Sequence, residues 1–133
     1  MSHNHIAATL LGAAVLAVSA CAAKTDSTAE VSAPAVTVAG APVNCIQTSR
    51  IRNTAVHDDY TIDFVMAGGD VYRNTLPNRC PGLGFEERFA YEVSAGQLCR
   101  VDTIAVLQSG AAGRGPTCGL GEFVPVRYVE TAD

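Results

Sequence analysis

Two kinds of hydrophobic pattern divide this chain. Ile6 to Val18 is an almost unbroken apolar run, interrupted only by Thr9 and Gly12. From Val43 onward, short apolar runs alternate with polar residues between Gly, Pro and Asp, as strands and turns do. The clearest stretch is "YTIDFVMAGGDVYRNTL", Tyr60 to Leu76, where two β-rich runs flank Gly68-Gly69 and read as a hairpin. A two-residue loop at Gly68-Gly69 would set Phe64 opposite Arg73 and Ile62 opposite Thr75. A three-residue loop, Gly68 to Asp70, sets Met66 opposite Tyr72 and Ile62 opposite Leu76. Ile62, Phe64, Met66, Tyr72 and Leu76 then share one face, and Asp63, Arg73 and Thr75 share the other. Register follows the face that is buried, so the three-residue loop is expected.

The same reading extends along the chain. Cys45–Val56 is expected to be an edge or opening strand, with the turn made by His57-Asp58-Asp59. "PNRCPGLGFEERF" is a long loop with one helical turn near Glu86-Glu87-Arg88. "FAYEV" is a strand, "SAGQ" a turn, "LCRVDTIAVLQ" a single strong strand and "SGAAGRGPT" a flexible loop. "EFVPVRYVE" is the last strand, marked by Pro125 as an edge or a bulge. These elements predict an all-β fold, a small and partly open β-barrel of about five or six strands with Gly-rich loops. Cys80–Glu92 and Cys118–Glu130 echo one another: each runs Cys, Gly-Leu-Gly, aromatic, strand. The echo reads as two similar turns, each needing glycine beside a disulfide.

The N-terminal run is too short to span a bilayer, which takes ~20 apolar residues. It fits the hydrophobic core of a secretory signal. Val18-Ser19-Ala20-Cys21 resembles the lipobox of bacterial lipoproteins, although "MSHNH" supplies no Lys or Arg. The resemblance implies that residues 1–20 are a signal peptide and that Cys21 is lipidated, anchoring the chain to a membrane. Ala22, where an Asp would favour inner-membrane retention, implies the periplasmic face of the outer membrane. Residues 21–42, rich in Ala, Ser, Thr, Val and Pro, read as a flexible linker. The folded domain is then 43–133.

So small a domain buries only about 60–70% of its unfolded surface. Small exported domains compensate with disulfides. Four cysteines follow Cys21, namely Cys45, Cys80, Cys99 and Cys118. None is closely spaced as zinc ligands are, so two disulfides are expected and no metal or other cofactor. Of the three possible pairings, Cys45–Cys118 with Cys80–Cys99 is preferred because it joins the first and last segments. Lys and Arg number 9 against 13 Asp and Glu, a net charge of −4 without any basic block. That excludes nucleic acid as a partner, since phosphate binding needs a concentrated basic face.

Catalytic signals are sparse. Ser49, Ser94 and Ser109 lack a Gly-x-Ser-x-Gly context. His57, the one histidine beyond the N-terminal run, stands beside Asp58 and Asp59 and is the only residue suited to be a general base. The carboxylates Asp58, Asp59, Asp63 and Asp70 lack the alternation of a calcium loop. Asp102 lies in the apolar stretch "VDTIAVL" and must be hydrogen-bonded, either capping backbone N–H groups or pairing Arg100 or Arg127. Phe85, Phe89 and Tyr91 lie close together beside Arg79 and Arg88; most of these aromatics are expected to fill the core, with Arg79, Phe85, Arg88 and Tyr91 as the candidate binding anchors.

"DDYTIDFVMAGGDVYRNTLPNRCPGL", "LCRVDTIAVL" and "CGLGEF" together resemble a family of small bacterial envelope lipoproteins whose domain has no assigned activity. The matching positions are Cys45, Asp59, Gly69, Tyr72, Leu76, Cys80, Pro81, Gly82, Leu83, Cys99, Asp102 and Cys118. The resemblance implies the envelope and the disulfides, and it carries no catalytic residue. The expectation is therefore a non-catalytic binding or interaction module with an envelope protein as partner. The alternatives are a periplasmic small-molecule or ion-binding domain, and a small enzyme using His57 with a neighbouring Asp.

Overall fold

A computed structural model describes residues 33–93, 95–110 and 113–131. The expected signal peptide, Cys21 and most of the linker lie outside the described residues, as does Ser94. Among the described residues no helix is long and apolar enough to cross a membrane.

The fold is all-β. Among the described residues ten short strands form three antiparallel sheets with no closed barrel. The strands are β1 (Val36–Val38), β2 (Cys45–Gln47), β3 (Ile51–Val56), β4 (Thr61–Met66), β5 (Val71–Thr75), β6 (Phe89–Tyr91), β7 (Gln97–Cys99), β8 (Thr103–Leu107), β9 (Arg114–Gly119) and β10 (Phe123–Tyr128). One helical turn, α1 (Leu83–Glu86), precedes β6. The main sheet has five strands in the order β1-β10-β5-β4-β3; a three-stranded sheet runs β6-β8-β9, and β2-β7 is a two-stranded ribbon.

The β4–β5 hairpin keeps the expected apolar face and moves its register. Phe64 pairs with Tyr72 and Ile62 with Asn74. The loop is still three residues long, Ala67 to Gly69, closed by the Met66 N–H donating to the Asp70 carbonyl at 2.8 Å. Gly68 and Gly69 both sit at φ 97°, a region open chiefly to glycine, so both must fall inside the loop and Asp70 becomes extended. Ile62, Phe64, Met66 and Leu76 are buried in one core with Ile46, Leu83, Leu98, Ile104, Val106, Leu120 and Phe123. Phe64 is its centre, edge-on to Phe123 at 5.5 Å and to Phe89 at 6.2 Å.

Several expectations are corrected. Val36–Val38, placed in the linker, is a strand paired with β10, so the folded unit begins before Val43. "LCRVDTIAVLQ" is two strands, because the Asp102 carboxylate accepts the Cys99 N–H at 2.7 Å and the Asp102 N–H donates to the Cys99 carbonyl at 2.9 Å, closing a tight turn. Asp102 is thus the cap of that turn, and Arg100 pairs with Glu122 at 3.1 Å instead. The stretch from Cys45 to Val56 is broken by a 3-10 turn at Thr48–Arg50, and "RGPTCG" is strand β9. Pro125 lies within β10 at the last rung beside β1: the Ala39 N–H donates to its carbonyl at 2.8 Å, and the reciprocal bond is the one proline cannot give.

The disulfides are Cys45–Cys99 and Cys80–Cys118, not the expected pairing. Cys45 and Cys99 lie directly opposite one another in the β2-β7 ribbon. Cys80–Cys118 joins the two Gly-Leu-Gly turns of the echo. Leu83 and Leu120 both enter the core, whereas Phe85 is 86% exposed and Phe123 fully buried. The echo is therefore local to the bridge.

Asn74 is the polar member of the apolar face. Its side chain donates to the Gly121 carbonyl at 2.7 Å and accepts the Gly121 N–H at 2.9 Å, so both its nitrogen and its oxygen have a partner. The approach is so close that a Cβ at Gly121 would collide with the Thr75 carbonyl oxygen, while one at Gly119 would meet open space. Gly121→Ala is expected to destabilise the protein by about 1–3 kcal/mol through forced overpacking, and Gly119→Ala by about 0.5 kcal/mol or less. Urea midpoints of the two variants check this; equal midpoints would contradict the packing described.

Candidate functional site

Two places in the fold gather functional side chains: a buried charged centre on one face of the main sheet, and an open seam between the main sheet and the three-stranded sheet.

The centre is built on Asp63, whose side chain is wholly buried. Asp63 sits directly opposite Arg73, on the face of the hairpin turned away from the core. Arg73 grips it with two parallel hydrogen bonds, Nε to Oδ1 at 2.8 Å and a terminal nitrogen to Oδ2 at 2.9 Å. The Tyr128 hydroxyl donates to Oδ2 at 2.8 Å, and His57 Nε2 lies 2.7 Å from the same oxygen. An ionised carboxylate only accepts, so Nε2 carries the proton. The other terminal nitrogen of Arg73 donates to the Pro34 carbonyl at 2.9 Å.

Burial alone would push the Asp63 carboxyl up. Hydrogen bonds from Arg73, Tyr128 and His57, with the Arg73 charge, outweigh it and hold the group below the ordinary carboxylate range. Hydrogen bonding to Asp63 raises Arg73 in turn, against the opposing effect of its own burial. Burial and the Asp63 hydrogen bond push the Tyr128 phenol up to about 12.

The expected general base is therefore paired with Asp63 rather than with its neighbours in sequence. Asp58 accepts the Tyr60 N–H at 2.8 Å. Asp59 accepts the Gly84 N–H and the Arg79 guanidinium, each at 2.9 Å, and so ties the long loop to the turn. No hydroxyl or thiol nucleophile is hydrogen-bonded to His57 among the described residues. Within those residues no group of three or more His, Cys, Asp or Glu side chains is placed to hold a metal ion. The centre's chemistry is that of a fixed ion pair: a carboxylate that accepts from every neighbour and has no proton to give.

The seam is different in kind. β3 ends the main sheet and β6 ends the three-stranded sheet, and no hydrogen bonds join them. Between them lies a groove of about 450 Å³. Its floor is Ile51, Phe89, Tyr91 and Leu107, and Arg52, Arg88 and Glu87 stand at its rim. Of the four anchors expected from sequence, Arg88 and Tyr91 are brought together here. Arg79 is engaged with Asp59, and Phe85 stands alone on α1. Tyr91 and Phe89 also pack against the core, so they serve both roles foreseen for the aromatics. Arg52 and Ile51 went unrecognised as groove residues. A β-branched residue beside an arginine, next to a break in a strand, was the available signal.

No protein-family model matches the chain, and no curated protein or solved structure matches it.

The charged centre fixes how stability depends on pH. Because Asp63 titrates below its ordinary value of 3.8, its contribution is complete above that value and is lost as pH falls through the lower, folded one. Tyr128 acts at the other end: its contribution is complete below 10.0 and is lost as pH rises through about 12. Asp63→Asn should cost about 3–5 kcal/mol at neutral pH, because Arg73 stays buried without its anion, and should flatten the acid limb. Denaturation midpoints from neutral to strongly acid pH test this. An unchanged acid limb in the variant would show that other carboxylates set it.

Proposed function

We propose that this protein is a lipid-anchored binding module of the bacterial envelope, exported by residues 1–20 and held through Cys21 at the periplasmic face of the outer membrane. It acts without catalysis by docking a partner protein at the β3–β6 seam. The observation that carries this reading is the groove itself, apolar at its floor and flanked by two sheet edges. Exposed edges are normally covered or blunted, because unpaired strands invite pairing with other chains. Aromatic and arginine side chains at a concave, partly desolvated patch are the usual anchors of protein interfaces. The two disulfides and the apolar N-terminal run fit an oxidising, exported setting. The Asp63 centre fits a scaffold role, since each of its oxygens is already occupied within the sheet.

Two measurements follow from this reading. Cys21→Ser should move the protein from the membrane to the soluble fraction after export; retention equal to the wild type would exclude lipid as the anchor. A photo-crosslinking residue at Thr54, in the seam, should capture an envelope protein in cells, and one at Thr117, on β9 at the far edge of the three-stranded sheet, should not. Equal labelling from both positions would remove the seam as the docking surface.

A further inference from the structure

The seam presents unpaired main chain as well as side chains. In β6 the Leu107 N–H donates to the Arg88 carbonyl at 3.0 Å, and the ladder continues with Phe89 opposite Val106 and Ala90 opposite Ala105. Peptide groups of successive residues in an antiparallel strand point to opposite sides. Arg88 and Ala90 therefore bond toward β8, and the N–H and C=O groups of Phe89 and Tyr91 point away from it, where no described strand is hydrogen-bonded to β6. In β3 the bond from the His57 N–H to the Thr61 carbonyl, at 3.0 Å, likewise leaves the groups of Thr54 facing the seam. The two edges are not equivalent. β3 carries a bulge between Ile51 and Asn53, which blunts it against continuous pairing, whereas the β6 register runs without a break.

Building on the docking reading above, we propose that β6 takes up an extended segment of the partner protein as an added strand, and that this segment alternates apolar with acidic residues. Residues of the segment opposite Phe89 and Tyr91 place their side chains on the same face as those rings, over the floor of the groove. That position selects apolar side chains at every second place. The charge at the rim selects the rest. Arg52 is exposed and makes no ion pair among the described residues. Arg88 lies 3.7 Å from Glu86, whose carboxylate already accepts the Ser109 N–H and hydroxyl at 3.1 and 2.9 Å. Against these two guanidiniums the rim sets a single carboxylate, Glu87. Main-chain hydrogen bonds would supply affinity, and the alternating side chains specificity.

The test uses the full chain, isotope-labelled, with the peptide acetyl-Val-Asp-Val-Asp-Val-amide as probe. The Phe89 and Tyr91 amides should exchange with solvent at least about tenfold more slowly when the peptide is bound, while Ala90, already bonded to β8, should be unchanged. The same peptide N-methylated at alternate amides, and a second with Lys in place of Asp, should each bind about tenfold more weakly or worse. Absence of slowing at Phe89 and Tyr91 overturns strand addition, even where Thr54 still captures a partner in cells and the docking reading stands. Equal binding of the Asp and Lys peptides overturns the acidic preference. Loss of Thr54-specific capture overturns the docking reading and strand addition with it.

Discussion

The Asp63 carboxylate is the point on which the main sheet depends. A buried ionised group is tolerated only when its neighbours replace the water it has lost. Its neighbours here come from the whole width of the sheet: Arg73 on β5, Tyr128 on β10, His57 at the end of β3 and, through Arg73, the Pro34 carbonyl ahead of β1. Asp63 itself is on β4, so one charge is tied to every strand. Their separations from Asp63 in sequence run from 6 residues for His57 to 65 for Tyr128. A slip of one residue in any pairing would carry its member of the cluster to the opposite face and leave a charge stranded among apolar side chains. The cluster thus acts as a check on register for a sheet whose first and last strands must find one another.

Much of the apolar architecture was legible in the sequence. The period of two in Ile62, Phe64 and Met66 identified the buried face, and the paired glycines located the turn. The lone carboxylate in "VDTIAVL" pointed to a cap. Charge at the second face was misjudged for a physical reason. Asp63 and Arg73 read only as members of the hairpin's polar face, because a single alternating strand cannot show that its polar side is also covered; that depends on Tyr128 and Pro34, which arrive from the far ends of the domain. The cysteine pairing was hidden in the same way. Joining first to last was a guess about chain ends, whereas the observed bridges follow local geometry: one spans directly opposed residues of a ribbon, and the other joins two turns of similar sequence. β1 went unseen because three β-branched residues in an Ala-, Ser- and Pro-rich stretch make too short a run to stand out.

The sheet's two margins are finished differently. At one margin β10 is covered by the chain's own early residues, with β1 along its second half and Val43 bridging Phe123 at its start. At the other, β3 carries a bulge at its start and faces β6 across the groove. Among the described residues an early segment thus covers one margin, and no strand pairs with the other. The aromatic side chains that would otherwise be fully enclosed, Phe89 and Tyr91, are for that reason only half-buried. In the proposed docking role the incomplete side of the fold is its working side, and Phe64 links it to the core by packing edge-on against both Phe89 and Phe123.

The bond from Arg73 to the Pro34 carbonyl also has a mechanical meaning. A pull applied to the chain upstream of Ala33 reaches Pro34 before it reaches any rung of the β1–β10 ladder. Arg73 is held by Asp63, and Asp63 by Tyr128 and His57, so the load spreads sideways across the whole sheet before it can peel β1 away. The guanidinium serves as a strain relief at the point where the chain enters the fold, much as a clamp on a cable protects the joint behind it.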